Sequence, residues 1–304
     1  MSDRIIAARY RRLAAGERRP RPRPALAIAR WSLALAWRRR ATRIALLACA
    51  FATFTAGISL VVAIVVERAA QAAPQGIALA GGGTLLSAQE ILAGFVQAQF
   101  YLAAIALAVT AGGLVAEDRR GGAFDLYFAR PLRLRDYALG KLGAALAVPA
   151  LALVGGYAAI WGLAVGIAPP ALRAELAWLI VPGLSGTVLA AMVLASTIVG
   201  LSALGERGRT VGVVYVLGWT ILDNLGRALA DRGVAVAGYL SPSRDLRTVM
   251  DALLGVGQPS LAAALLQLRE AANASALLSA LALLAFTALG LGALAWRLRR
   301  EVLE

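Results

Sequence analysis

Few side chains in this 304-residue chain are equipped for chemistry. Asp223, Asn224 and Arg227 interrupt an apolar run, and an ionisable group inside such a run marks a path, a relay or a paired charge. Two readings stay open for Asp223. It lines a translocation path together with Asn224, or it pairs with Arg227 one helical turn on. Gln97 and Gln99 sit near the end of another apolar run, where they either line a cavity or mark the headgroup level.

The remaining inventory is short. There is no histidine, the commonest general base and metal ligand. Cys49 is the single cysteine and lies in an apolar run, so no intrachain disulfide forms. Gly140-Lys141 suggests a phosphate loop, but that loop needs G-x4-G-K-[ST], and positions 135 and 142 hold Arg135 and Leu142. No catalytic, cofactor-binding or metal-binding residue is expected. An integral-membrane enzyme would need acid–base or metal groups that converge, and none is evident.

The elements that must carry these residues follow from composition. The chain is 60% hydrophobic and 16% charged, with mean hydropathy +0.72. Soluble domains run near half apolar and a quarter charged, so the composition predicts a polytopic membrane protein. Six segments reach the roughly 20 residues needed to cross a bilayer core: about Ile44–Val66, Leu92–Ala116, Leu142–Ile167, Leu176–Leu204, Val211–Leu229 and Ala274–Trp296. An even number puts both termini on one side. That side carries 1–43, 117–141, 205–210 and 297–304, with about 24 of the 31 Arg and Lys. Lys and Arg concentrate on cytoplasmic loops, so both termini are expected in the cytoplasm. The net charge of +14 is thus explained by topology and not by nucleic acid.

The N-terminal segment does not read as a signal peptide, because about 43 mostly polar residues precede the first span. Within it, Ala25–Trp37 is too short to span and suits a helix lying at the interface, on protein as well as lipid. On the opposite side, Glu67–Ile91 reads as a flexible loop, and 231–273 contains a helix. Leu246, Val249, Met250, Leu253 and Leu254 have helical spacing, and Ser241 or Ser243 caps the start beside Pro242. A second short helix is expected from Ser260. Gly162 and Gly166, and likewise Gly208 and Gly212, form small-xxx-small pairs that permit close helix approach.

Between spans 2 and 3 lies Glu117–Lys141, a polar knuckle with six basic residues. Gly121-Gly122 lets the chain leave a helix sharply. Phe124, Tyr127 and Phe128 follow at i, i+3, i+4, Pro131 stops that helix, and Asp136 starts the next. The aromatic ridge either rests on lipid headgroups or inserts into a groove on a partner protein.

The run Glu117-Asp118-x-x-Gly121-Gly122-x-Phe124-Asp125-Leu126, then Arg130-Pro131-Leu132 and Leu139-Gly140-Lys141, resembles the first cytoplasmic loop of ABC-2 type transporter permeases. It departs from the usual pattern in Phe124 for Leu and in Arg133-Leu134 for Ser-Arg. The resemblance implies an all-α membrane subunit of an ABC transporter, with six transmembrane helices, an N-terminal interfacial helix, a coupling helix between spans 2 and 3, and short outer helices between spans 5 and 6. In chain order this gives a basic N-terminus (1–43), a transmembrane domain (44–296) and a C-terminal tail (297–304). The resemblance further implies docking to a separate cytoplasmic ATPase through Phe124, Leu126, Tyr127 and Phe128, with Glu117 and Arg130 as polar contacts and Pro131 as terminator. ATP and Mg would belong to that ATPase. A second permease copy or homologue and membrane lipids complete the implied partners, in a bacterial inner membrane. A non-transporting membrane scaffold is the competing reading.

Overall fold

The computed structural model describes residues 24–72, 87–123, 133–256, 273 and 275–303. Among these it contains helices and turns and no strand. Helix α1 is Pro24–Trp37, α2 Arg40–Ala72, α3 Ala88–Ala111, and α4 Ala116–Arg120. Helix α5, Leu134–Pro149, runs through a wide π turn at Ala150–Gly155 into α6, Gly156–Ile167. Then follow α7 Pro170–Trp178, α8 Ile180–Leu204, α9 Gly208–Asp231, a 3-10 turn Ala235–Leu240, α10 Pro242–Leu254 and α11 Ala276–Leu303.

Five stretches are long and apolar enough to cross a membrane: Arg40–Val66, Ala88–Arg120, Leu134–Ile167, Leu172–Leu204 and Ala276–Glu301. The expected fifth run is a helix of 24 residues, α9, about 36 Å long at 1.5 Å per residue. Its charged residues leave it outside that apolar set. The charge-rich end segments come together: Arg119 donates to Glu301 at 2.9 Å and to the carbonyls of Ala203 and Gly205, and Arg39 donates to Glu117 at 3.1 Å. A cation here faces the carbonyl end of α8, where the helix dipole favours it.

Helices α3 and α8 form the centre. In their spans 56% and 67% of the apolar stretch is buried, against 22% in α2 and α11. Helix α2 accordingly turns Ile44, Leu47, Phe51, Phe54, Ile58, Val62 and Val65 outward along one face, as a helix facing hydrocarbon can. Helix α11 lies along α8 in close contact. The backbones touch at Gly200 and Gly290, where a Cβ on Gly290 would stand 2.5 Å from Ser196 O. Close backbone approach at small residues is how helices associate where lipid removes the hydrophobic drive.

The small-residue pairs separate on inspection. A Cβ on Gly208 would meet Gly113 Cα at 2.7 Å, and one on Gly212 would meet Ala108 O at 2.6 Å. That pair seats α9 on the end of α3. Gly162 and Gly166 have nothing within 4 Å, so among the described residues no helix packs on them.

Two expected spans are not simple rods. The second breaks at residues 112–115, before α4 begins, with Gly113 O accepting from Glu117 N at 3.0 Å. Ser202 of α8 closes the break. Its Oγ accepts from Val115 N and Ala116 N at 3.0 and 3.2 Å and donates to Gly112 O at 2.8 Å. The expected fourth span is broken near Leu179. There Tyr157 donates to Leu179 O and Trp161 to Leu176 O, both at 2.9 Å. In each case a side chain replaces the water that a bilayer cannot supply.

The helix expected near Leu246 is α10, with Ser241 as its cap accepting from Arg244 N. Gly255 ends it in the left-handed conformation at φ 68, a position that suits glycine. The turn expected at Gly121-Gly122 is present, with Gly122 at φ 64. The helix expected from Ser260 and the loop residues 73–86 lie outside the described residues.

Candidate functional site

Asp223 is buried at the centre of a hydrogen-bond knot. Its Oδ2 accepts from the Tyr101 hydroxyl at 2.8 Å, and its Oδ1 accepts from Ser241 Oγ at 2.7 Å and Ser243 N at 3.1 Å. Arg227 donates to the same Tyr101 oxygen at 2.7 Å and to Ser243 Oγ at 3.0 Å. The knot therefore joins α9, α3 and the start of α10. Gly226 makes room for it, since a Cβ there would stand 2.9 Å from Ser241 N. Tyr101 serves as donor to the carboxylate and acceptor for the guanidinium, so Asp223 and Arg227 meet through it. Both oxygens are taken, which makes this a fastening.

The other sequence candidates are spread around it. Gln97 accepts from Arg247 of α10 at 3.5 Å, and Arg247 pairs with Asp251 at 2.9 Å. Gln99, fully buried, faces the other way: its Nε2 donates to Cys49 O at 3.1 Å and Ala152 O at 3.2 Å. Two carbonyls on that atom fix the orientation of the amide. Pro149, which lacks an N–H, immediately precedes the π turn holding Ala152. Asn224 is exposed and bonds back to Thr220 O at 2.7 Å. Thus Gln97 and Asp223 both hold α10, Gln99 ties α2 to the π turn, and Asn224 points outward. Among the described residues the four face different neighbours and do not converge.

At the opposite end, the roots of the 117–141 segment form a clasp. Lys141, 4% exposed, pairs with Asp118 at 2.7 Å. Tyr137 also donates to Asp118, at 2.8 Å. Lys141 reaches Ser32 of α1 at 3.4 Å, and Arg39 just past α1 pairs with Glu117. Gly140 lets α1 close on α5: a Cβ there would meet Ala25 O and Ile28 Cβ at 2.8 Å. Gly140-Lys141, which fails as a phosphate loop, is thus a seat for α1 and an anchor for Asp118. Of the docking candidates only Glu117 is described. Phe124, Leu126, Tyr127, Phe128, Arg130 and Pro131 lie outside the described residues.

A third polar group went unnoticed in the sequence. Asp245 of α10 is fully buried. Its Oδ1 accepts from Asn273 Nδ2 at 2.7 Å, while Oδ2 finds no partner among the described residues. Burial pushes its carboxyl up to about 7, and the charge of Asp223 adds to that. Hydrogen bonds from Ser279 and Asn273 and the charge of Arg244 pull the other way. A raised carboxyl is least costly when protonated. Stability should therefore be full below the ordinary carboxylate value near 4 and should fall as pH rises to about 7. Asp245→Asn keeps the acceptor for Asn273 and removes the ionisation. Melting temperatures across that range should slope downward for the wild type and stay nearly flat for the variant. Parallel slopes would show that Asp245 does not ionise there.

Among the described residues no group of three His, Cys, Asp or Glu is placed to hold a metal ion. All-helical among the described residues, with five helices long and apolar enough to cross a membrane, the fold is that of a multi-pass membrane protein. Comparison with protein-family models and with curated proteins finds no match.

Proposed function

We propose that the chain is the membrane-spanning permease subunit of an ABC transporter. It would work as a dimer with a second copy or a homologue, driven by a separate cytoplasmic ATPase that binds ATP and Mg. On this reading α9 is the fifth of six spans, both termini are cytoplasmic, and the membrane is a bacterial inner membrane.

The observation that carries the proposal is the clasp. A loop that transmits force needs its roots tied to the elements it moves. Asp118, Lys141, Tyr137, Glu117 and Arg39 tie the roots of the 117–141 segment to each other and to α1. Asp118 lies in α4 and Lys141 in α5, so displacement of the knuckle would reach α5 directly and α3 through the bend at 112–115, shifting the pair between two states. The resemblance of that same segment to the permease loop, and the concentration of Arg and Lys at its end of the bundle, point the same way. The outward faces of α2, α9 and α11 supply the surface on which a second permease would pack, with Asn224 on the outward face of α9.

Co-purification tests the reading. The chain expressed with its genomic neighbours should bring down an ATPase. Phe124→Ala, Tyr127→Ala and Phe128→Ala combined should abolish capture while leaving the chain folded. Retention of the ATPase and its turnover by the triple variant would remove the docking assignment. Folded chain that captures no ATPase at all would favour a scaffold.

A further inference from the structure

A hollow of about 580 Å³ opens sideways between α2 and the π turn with α6. It falls within the roughly 300–1,000 Å³ of small-molecule sites. Its making is legible residue by residue. Ala50 on α2 faces Gly155 and Ala159 across it, and Leu47 and Leu151 complete the apolar wall. Gly155 has room for a side chain it lacks: a Cβ there would touch only Leu151 Cδ1 at 3.7 Å and Ala150 O at 3.9 Å of its own helix. Gly156 beside it is closed, with the Phe95 ring at 2.8 Å and Thr53 Oγ1 at 3.0 Å from such a Cβ. Gln99 holds the back of the hollow shut by bonding Cys49 O and Ala152 O. A leucine at 50, 155 or 159 would fill the space.

The hollow has a polarity. Along α2 its lining runs from Arg43 to Thr53, and Trp37 stands with Arg43 at one end. Ten residues of helix are about 15 Å, half of a hydrocarbon core of about 30 Å. The site is therefore one leaflet deep. A cation and an indole at the mouth, with apolar walls inward, match a headgroup and a chain. The mouth lies at the basic end of the bundle.

We propose that this hollow binds a single phospholipid with an anionic headgroup, drawn from the leaflet at the basic end. Arg43 meets the phosphate and the acyl chain fills the space between Ala50, Gly155 and Ala159. Water does not suit walls this apolar, and a partner helix would not stop at mid-membrane. The inference goes beyond the permease reading and rests only on the membrane-spanning fold, so either can fail without the other.

The test uses the full chain reconstituted with equal phosphatidylglycerol and phosphatidylethanolamine, then extracted gently for native mass spectrometry. The wild type should retain one phosphatidylglycerol. Arg43→Gln should lower the preference for it about fivefold, the effect of one surface cation on an anionic lipid. Ala159→Trp should eliminate the retained lipid with the melting temperature unchanged; should it fail to fold, Gly155→Val fills the same space. Equal retention of both lipids by the wild type, or undiminished retention in both filled variants, would overturn the proposal. So would a wild-type dimer that Ala159→Trp dissociates, because the occupant would then be a second copy of the chain.

Discussion

Gly290→Leu should leave little folded protein. The α8–α11 crossing is a backbone contact, with Ser196 O 2.5 Å and Thr197 N 2.7 Å from the position a Cβ would take. No side-chain rotamer relieves a clash against main chain, so the helices must part along their whole contact. Overpacking typically costs about 1–3 kcal/mol and occasionally more, and this site belongs at the upper end. Gly292, two residues along the same helix, has nothing within 4 Å. Gly292→Leu should stay within about 0.5 kcal/mol of wild type, as exposed substitutions do. Fluorescence-detected size exclusion across a temperature series reads both. Equal melting of the two variants would mean that α8 and α11 do not cross in this way.

The second large effect is expected at Asp223. Asp223→Leu removes the acceptor for Tyr101, Ser241 and Ser243 together and takes away the negative charge that Tyr101 links to the half-buried guanidinium of Arg227. Leaving a buried donor without its acceptor costs about 1–3 kcal/mol, and three donors lose theirs here. Asp223→Asn should be milder. Its carbonyl can still accept from Ser243 N and Ser241 Oγ. Its amide N–H would then point at a Tyr101 oxygen that already accepts from Arg227, and the Tyr101 proton would lose its acceptor. The ordering wild type, Asn, Leu in thermal stability tests the knot as a fastening. Asp223→Asn should also lower transport more than it lowers membrane insertion. Full transport by the Asn variant would confine Asp223 to a structural part.

What the sequence showed and what it hid divide along separation in the chain. The α10 cap and the turn at Gly122 are local, and spacing sufficed to read them. The clasp and the Asp223 knot were hidden because their partners stand far apart: Glu117 to Arg39 crosses 78 residues, and Tyr101 to Asp223 crosses 122. No local pattern states which face of α1 meets α5, so the sequence ruled Gly140-Lys141 out as a phosphate loop without revealing its use in packing. Gly162 and Gly166 show the converse. The motif permits close approach and does not supply a neighbour. The break at 112–115 was missed because Gly112-Gly113 in an Ala-rich run resembles ordinary membrane helix, and the decisive residue, Ser202, lies in another helix.

That Ser202 joint changes how stiff the chain is between the centre of the bundle and residue 117. A continuous helix passes on bending and torsion in full. Here the through-bond ladder is interrupted, and one hydroxyl on α8 completes the circuit from Gly112 O to Val115 N and Ala116 N. Rotation about residues 112–115 then exchanges hydrogen bonds around a single oxygen and exposes no bare amide to lipid, so it is cheap. The resting angle of that elbow is set by α8, a helix remote in sequence. Ser202 is in this sense the tensioner of the joint: it sets how much of any displacement at the basic end reaches α3 and how much is absorbed at the bend.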